Sequence, residues 1–343
     1  MERVGVALIG AGVFGERHAQ AYSRHHGVTF VAVCDLNTER AQAVAGRYGA
    51  HYATGDYRQV LADPAVRAVS IALPDHLHRE VAVAAARAGK DLLVEKPLAT
   101  TVEDAEAIVA AAEQAGVRLM VDFHNRVNPP MVSARDAIQR GVIGQPSYVY
   151  ARLSNTTLVP TEMLRWAGQS SALWFLASHM VDVVRWMLDD EPARVYAVRR
   201  DGVLRELGVD TADFHVATVE FRGGAVAVFE HAWILPRSQA TVKDLKLEIL
   251  GSHGQINIDG SHHRTLEIYS ADTASFPDLL APPTGEHLTG FVLDSIAYFV
   301  DMLTRDAPPL ATGADGVAVT RILCAIEESA RQRMPVELSP VPY

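Results

Sequence analysis

Cysteine is nearly absent from this sequence. Cys34 and Cys324 are the only two, too few and too far apart for a disulfide framework, so a reducing compartment, the cytoplasm, is the expected setting. Long apolar runs are missing as well. None approaches the roughly 20 residues of a membrane span, and Met1, Glu2 and Arg3 lead straight into a strand-like segment without a secretory h-region, so neither membrane insertion nor export is expected. Positive charge is also scarce: 31 Lys and Arg stand against 41 Asp and Glu, a net charge of -10. The basic residues are scattered, whereas a nucleic-acid partner demands clustered ones, and none is expected. There is no G-x-S-x-G elbow, which removes the simplest serine-hydrolase reading. The histidine groups His25-His26, His76-x-His78 and His262-His263 lack a third ligand at a recognisable spacing, and no metal is expected.

What is present is a chain of 343 residues, 49% hydrophobic and 21% charged, the balance of a globular enzyme of two domains. Residues 3 to 9 form a short apolar run, followed by glycines and then by a segment of helical character. The alternation continues with strands over Val28 to Cys34, Val66 to Leu73, Leu92 to Val94 and Leu119 to Val121. Helices are expected over Thr38 to Tyr48, His78 to Ala88 and Val102 to Gln114. Continuous apolar strands alternating with helices predict an α/β Rossmann domain, a doubly wound parallel sheet, over 1–122. Beyond Asp122 the pattern changes to a helix near Met131 to Gln139 and then to alternating strands. Asp213 to Arg222 and Ala225 to Trp233 meet through Gly223-Gly224, a hairpin signal. Helices near Thr289 to Leu303 and Gly316 to Gln332 follow. Residues 123–343 are therefore expected to form an α+β domain: a large, mostly antiparallel open sheet with helices on one face. Ser270 to Gly285, with three prolines, is expected to be a long loop.

Gly10-Ala11-Gly12-Val13-Phe14-Gly15 fits G-x-G-x-x-G between a strand and a helix, the context that gives this short pattern meaning. Glycine lets the main chain approach a pyrophosphate, whose charge then meets the unsatisfied N–H groups of the helix N-terminus. Asp35, with Leu36 beside it, ends the second strand, where a carboxylate can accept from ribose hydroxyls and repel a 2′-phosphate. NAD(H) is accordingly expected over NADP(H). Glu95-Lys96-Pro97 ends the strand Leu92 to Val94, at the edge facing the ligand crevice of an open parallel sheet. A lysine there can accept the proton released when an alcohol is oxidised, if burial lowers its pKa; a surface ion pair with Glu95 is the plain alternative. On the helix Leu173 to Leu188, Phe175, His179, Asp182 and Trp186 share a face. His179 can be a proton-transfer group oriented by Asp182, or a core histidine with Asp182 paired to Arg185.

The glycine fingerprint, Pro74-Asp75-His76-Leu77-His78, Glu95-Lys96-Pro97, His124-Asn125-Arg126 and His179-Met180-Val181-Asp182 together resemble the glucose-fructose oxidoreductase, inositol dehydrogenase and rhizopine-catabolism family. The resemblance spans essentially the whole chain. It implies a hydride transfer between nicotinamide and a sugar, sugar derivative or cyclitol, and assembly as a homodimer or homotetramer through the open sheet face. It implies catalytic roles for Lys96 and His179 and places Asn125, Arg126 and Asp182 on the substrate side; the nearby Trp166 can add a stacking wall for a sugar ring. Leu73, Pro74, Asp75, His78 and Glu95 fall beside the cofactor with the glycines, Val13, Phe14, Asp35, Leu36 and Lys96. One departure stands out: where many members carry an aspartate one turn before the histidine, this chain has Phe175. Two other outcomes are open to the same fold: glycoside cleavage or elimination through transient oxidation, and dinucleotide sensing without turnover.

Overall fold

The computed structural model describes residues 3–261, 268–269, 274–275, 283–284 and 287–340. The expected long loop and the His262-His263 pair lie wholly or mostly outside the described residues. The chain divides into two compact units, residues 1–128 with 280–320, and residues 129–279 with 321–343.

In the first unit six strands make one sheet: β1 (Val4–Ile9), β2 (Val28–Cys34), β3 (Tyr52–Thr54), β4 (Ala68–Ile71), β5 (Asp91–Val94) and β6 (Leu119–Val121). Their order is β3-β2-β1-β4-β5-β6 and every pairing is parallel. The strands are apolar along their length because both faces are covered, β4 being buried at all four positions. Between them run α1 (Val13–Arg24), α2 (Thr38–Tyr48), α3 (Tyr57–Ala62), α4 (His78–Arg87) and α5 (Val102–Ala115). Local chemistry fixes their ends. Asn37 caps α2 by accepting from the Arg40 amide at 2.9 Å, and Gly49 ends it in the left-handed region at φ 75°. Thr101 and Gly116 do the same for α5.

The second unit holds α6 (Pro129–Gln139), β7 (Pro146–Asn155), α7 (Ser178–Leu188), β8 (Pro192–Arg200), the single turn α8 (Val203–Glu206), β9 (Phe214–Phe221), β10 (Val226–Ala232), β11 (Lys243–Gly251) and β12 (Gln255–Asp259). With a terminal strand at Val336–Glu337 they form a seven-stranded sheet, ordered β12-β11-β7-β10-β9-β8 and then the terminal strand. All pairings are antiparallel except β10 with β7. The β9–β10 hairpin turns at Gly224, φ 94°, as the double glycine requires. Strand β9 alternates between buried and half-exposed side chains, so this sheet has one covered and one open face.

Two expectations need correction. The helix read as continuous from Leu173 opens with a wider π-turn over Leu173–Ala177 and becomes α-helical only at Ser178. The helix α9 (Phe291–Arg305) belongs to the first unit, not to the unit that holds the second sheet. Its Leu293, Ile296, Phe299, Val300 and Leu303 enter the core of the first unit with Val4, Val6, Tyr22 and Phe30. An amphipathic pattern announces that a face will be buried, not which sheet will bury it. The last helix, α10 (Gly313–Gln332), belongs to the first unit up to Thr320 and to the second from Arg321.

Candidate active site

In the first unit the predicted cofactor residues gather at the carboxyl edge of the parallel sheet, on the segments leaving β1, β2, β4 and β5. The glycines are needed one by one. Gly10 sits at φ 98°, and a Cβ there would stand 2.3 Å from the Ala72 carbonyl oxygen. A Cβ on Gly15 would stand 1.9 Å from the Gly10 oxygen, so α1 could not approach the turn. Around Gly12 nothing lies within 4 Å of an added Cβ: the space over the N-terminus of α1 is open. That is the shape of a phosphate cradle.

Asp35 is buried and closes this turn. Its Oδ2 accepts from the Ala11 amide at 2.8 Å and from Arg40 Nε at 3.1 Å; its Oδ1 accepts from the Asn37 amide at 2.8 Å and from the Arg40 terminal nitrogen at 2.7 Å. Four donors fill the four lone-pair positions of a carboxylate, so ribose hydroxyls would have to displace the half-exposed Arg40. Arg40 had no place in the sequence reading; its position one turn into α2 is the signal that could have found it. Leu36 is 91% exposed beside this carboxylate, and Val13 is also exposed.

Leu73, Pro74 and Asp75 follow β4. Asp75 is buried and its Oδ1 accepts from the His76 amide at 2.8 Å. His78 is fully buried, and its ring spans two loops, Nδ1 at 2.9 Å from the Pro97 oxygen and Nε2 at 3.0 Å from the Leu73 oxygen. This ring ties the two loops together. The Lys96-Pro97 peptide is cis. Lys96 is buried, and burial pushes its amine below the ordinary lysine value against the pull of Glu95, Asp75 and Asp122. The surface ion pair is thereby excluded. Glu95 turns inward, its Oε1 3.0 Å from His18 Nε2. Burial pushes this carboxyl up, yet the His18 hydrogen bond and the charges of His18 and Lys96 outweigh it and hold Glu95 at about 2. Asp122 is pushed up to about 7 by burial and by Glu95. The atoms of His18, Glu95 and Asp122 lie within 4.8 Å of one another, a grouping of three that spacing in the sequence did not reveal.

His124 stacks on Phe14 at 6.3 Å and tilts against Phe291 at 5.6 Å; burial drives its ring down to about 3, so it is neutral. Asn125 is buried and accepts from Asn128 at 3.1 Å. Arg126 donates to the Leu310 oxygen at 2.9 Å and to Asp315 at 3.1 Å, so its guanidinium anchors the segment that leads into α10.

In the second unit Phe175 packs edge-on against Trp166 at 6.1 Å and tilts against Trp233 at 5.9 Å. The position where an aspartate was looked for is thus part of an aromatic group. His179 and Asp182 are both buried on α7, and Arg185 binds Glu191 at 3.0 Å. Trp233, absent from the predicted set, is fully buried at the end of β10, and its Nε1 has no hydrogen-bond partner among the described residues. An open cleft of about 280 Å³ in this unit is lined by Trp174, Thr211, Arg205, His215 and Glu327. Its polar groups are matched internally, Arg205 to Asp210 at 2.8 Å and His215 to Glu327 by a hydrogen bond of 3.1 Å. No helix among the described residues is long and apolar enough to cross a membrane.

Comparison with known proteins agrees with this architecture. Residues 4–123 match a family model described as an oxidoreductase family with an NAD-binding Rossmann fold, and residues 131–257 match the GFO/IDH/MocA C-terminal domain. Levoglucosan dehydrogenase of Pseudarthrobacter phenanthrenivorans is 29% identical over 98% of this chain and 99% of its own length. The scyllo-inositol 2-dehydrogenase (NAD(+)) of Bacillus subtilis is 28% identical over 98% and 96%. Among solved structures, GenD2 from gentamicin A biosynthesis in complex with NAD superposes with a TM-score of 0.87 at 27% identity, over 99% of this chain and 97% of that one.

Proposed function

From a chain that belongs to the Gfo/Idh/MocA family of oxidoreductases, we infer an enzyme that moves a hydride between NAD(H) and a hydroxyl-bearing carbon of a sugar, sugar derivative or cyclitol. The observation that carries this reading is Lys96: a buried amine of lowered proton affinity, at the strand edge that also carries an open glycine cradle. The cradle fits a dinucleotide because the space over Gly12 is clear while Gly10 and Gly15 admit no side chain. When bound, the nicotinamide supplies the hydride acceptor. The chain's own residues supply the rest. Lys96, unprotonated, takes the hydroxyl proton on Nζ as the carbinol C–H bond breaks; in the reverse direction its ammonium returns that proton to the carbonyl oxygen. His179, with Asp182 on the next turn of α7, is the second proton-transfer group of this reading. Asn125 and Trp166 contribute to the substrate side, and Arg126 acts through the segment it anchors.

The substrate class rests on relatives whose names carry levoglucosan, scyllo-inositol and D-apiose. The preference for NAD(H) rests on Asp35, and a chain with only two cysteines suits a cytoplasmic setting. Self-association as a dimer or tetramer rests on the open sheet face, where Tyr148, Tyr196, Val198 and Leu250 are exposed.

The test is turnover with NAD+ and a polyol panel, followed by NADH absorbance. Lys96→Ala is expected to lower kcat by roughly 10²- to 10⁴-fold while NADH still binds by fluorescence; undiminished turnover in that variant removes Lys96 from the mechanism. The aromatic packing of Phe175 favours a second reading, a dinucleotide sensor, which tight NADH binding without turnover across the panel would select. Product formation without net NADH would instead select cleavage or elimination through transient oxidation.

A further inference from the structure

Within electrostatic reach of Lys96, three ionisable side chains from three elements are buried around one point. His18 comes from α1, Glu95 from the end of β5 and Asp122 from the end of β6, and none is more than 6% exposed. His18 Nε2 lies 3.0 Å from Glu95 Oε1 and 3.8 Å from Asp122 Oδ2. On its other side His18 Nδ1 meets Ser70 Oγ at 3.1 Å, and Ser70 is bonded in turn to Tyr22. Ser295 on α9 donates to Asp122 Oδ1, while Asp122 Oδ2 has no hydrogen-bond partner among the described residues. Asp75 acts on Lys96, His124 faces Glu95, Lys96 and His18, Arg17 acts on His124, and Tyr22 faces Asp122.

Fully deprotonated, the three side chains carry two negative charges; with one proton they carry one. Away from water the second charge is expensive, so one proton is kept. The geometry says where. The imidazole hydrogen bond goes to Glu95, which makes it the better anion, and Asp122, with one oxygen lacking a donor, is the better acid.

We propose that His18, Glu95 and Asp122 are positioning residues for Lys96, holding one proton in common so that the cluster always presents one buried counter-charge to its amine, beside that of Asp75, and either carboxylate of the cluster can supply it. The inference rests on the reading of Lys96 as the proton acceptor, yet its test does not depend on turnover. Loss of Glu95 leaves Asp122 to ionise in its place, and loss of Asp122 removes a neutral acid; only loss of both removes the cluster's charge and leaves Lys96 with Asp75 alone.

The chain has four lysines, Lys90, Lys96, Lys243 and Lys246. In full-length protein labelled with [ε-¹³C]lysine, the Lys96 signal is therefore assignable by single Lys→Arg changes and its titration can be followed directly. The midpoint is expected to fall by at least about one pH unit in the double variant Glu95→Gln/Asp122→Asn, and by less than half as much in either single variant. Additive shifts, or no shift in the double variant, overturn the proposal. Infrared spectroscopy decides the matter if the double variant does not fold. The carbonyl stretch of a protonated carboxylic acid is expected in the wild type at pH 6 and absent from both Asp122→Asn and Glu95→Gln; its persistence in either overturns the proposal. So does a stoichiometric metal in the purified protein that His18→Gln releases, since the ion would then carry the charge. If these results are as expected while Lys96→Ala still turns over, it is the catalytic reading of Lys96 that fails, and the cluster stands.

Discussion

Asp35 shows how much a single side chain can be asked to do. Its carboxylate ties the glycine turn through Ala11, opens α2 through Asn37 and pairs with Arg40. In the proposed function the same atoms would also govern cofactor choice, since a carboxylate repels a 2′-phosphate and an arginine attracts one. Asp35→Ser is expected to lower the ratio of kcat/KM for NAD+ over NADP+ by about tenfold, equivalent to ~1.4 kcal/mol, measured with both cofactors on one substrate; an unchanged ratio would show that Asp35 serves the fold alone. The glycine turn and Asp35 were legible in the sequence because they depend on neighbours a few residues away. The grouping of His18, Glu95 and Asp122 was not, since its members meet only after two strands and a helix have come together. Arg126 and His78 were legible as positions, and their packing was not. The motif located them, but only their hydrogen bonds show them anchoring and bracing.

Among the elements, α9 departs furthest from expectation. Its hydrophobic repeat was plain, and the helix was found within two residues of where the repeat placed it. Its destination was hidden, because the surface that receives it is assembled from residues far earlier in the chain. Ile296, Phe299 and Val300 are completely buried there. Phe299→Ala is expected to destabilise the protein by about 3–5 kcal/mol, transfer and cavity terms together, read as a lower urea midpoint with an unchanged m-value. A loss under about 1 kcal/mol would mean that the helix is peripheral to this core. The π-turn at Leu173–Ala177 escaped the sequence reading for a related reason: period alone does not distinguish it from the α-helix it leads into. The alternation in β9 and β10 and their double glycine, by contrast, are local signals, and the hairpin formed where they put it.

For the molecule as a whole, buried titratable groups set the response to acid. His124 and His231 are lowered to about 3 and 4 by burial, so below pH 6.5 the unfolded chain binds protons that the folded one refuses. Each adds a slope of about 1.4 kcal/mol per pH unit, with stability falling as pH falls. Asp122, raised to about 7, binds its proton in the folded state and opposes one of these slopes over the same range. The net expectation between pH 4.5 and 6.5 is therefore a loss on acidification worth about one histidine. Tm measured across that range should show it, and His231→Gln should flatten it; a Tm that rises on acidification would contradict the assignment. Self-association belongs to this scale too. Light scattering is expected to give a multiple of the 37.2 kDa chain mass, and Tyr196→Lys, on the open sheet face, to shift it toward one copy. A wild-type monomer at micromolar concentration would leave that face without a partner.

The late arrival of α9 also bears on synthesis. A ribosome releases the six-stranded sheet long before it reaches Arg305, and until then Tyr22, Phe30 and their neighbours lack the side chains that cover them. The nascent cofactor-binding half must therefore wait, unfinished and in need of shielding, for almost the entire second half to be translated.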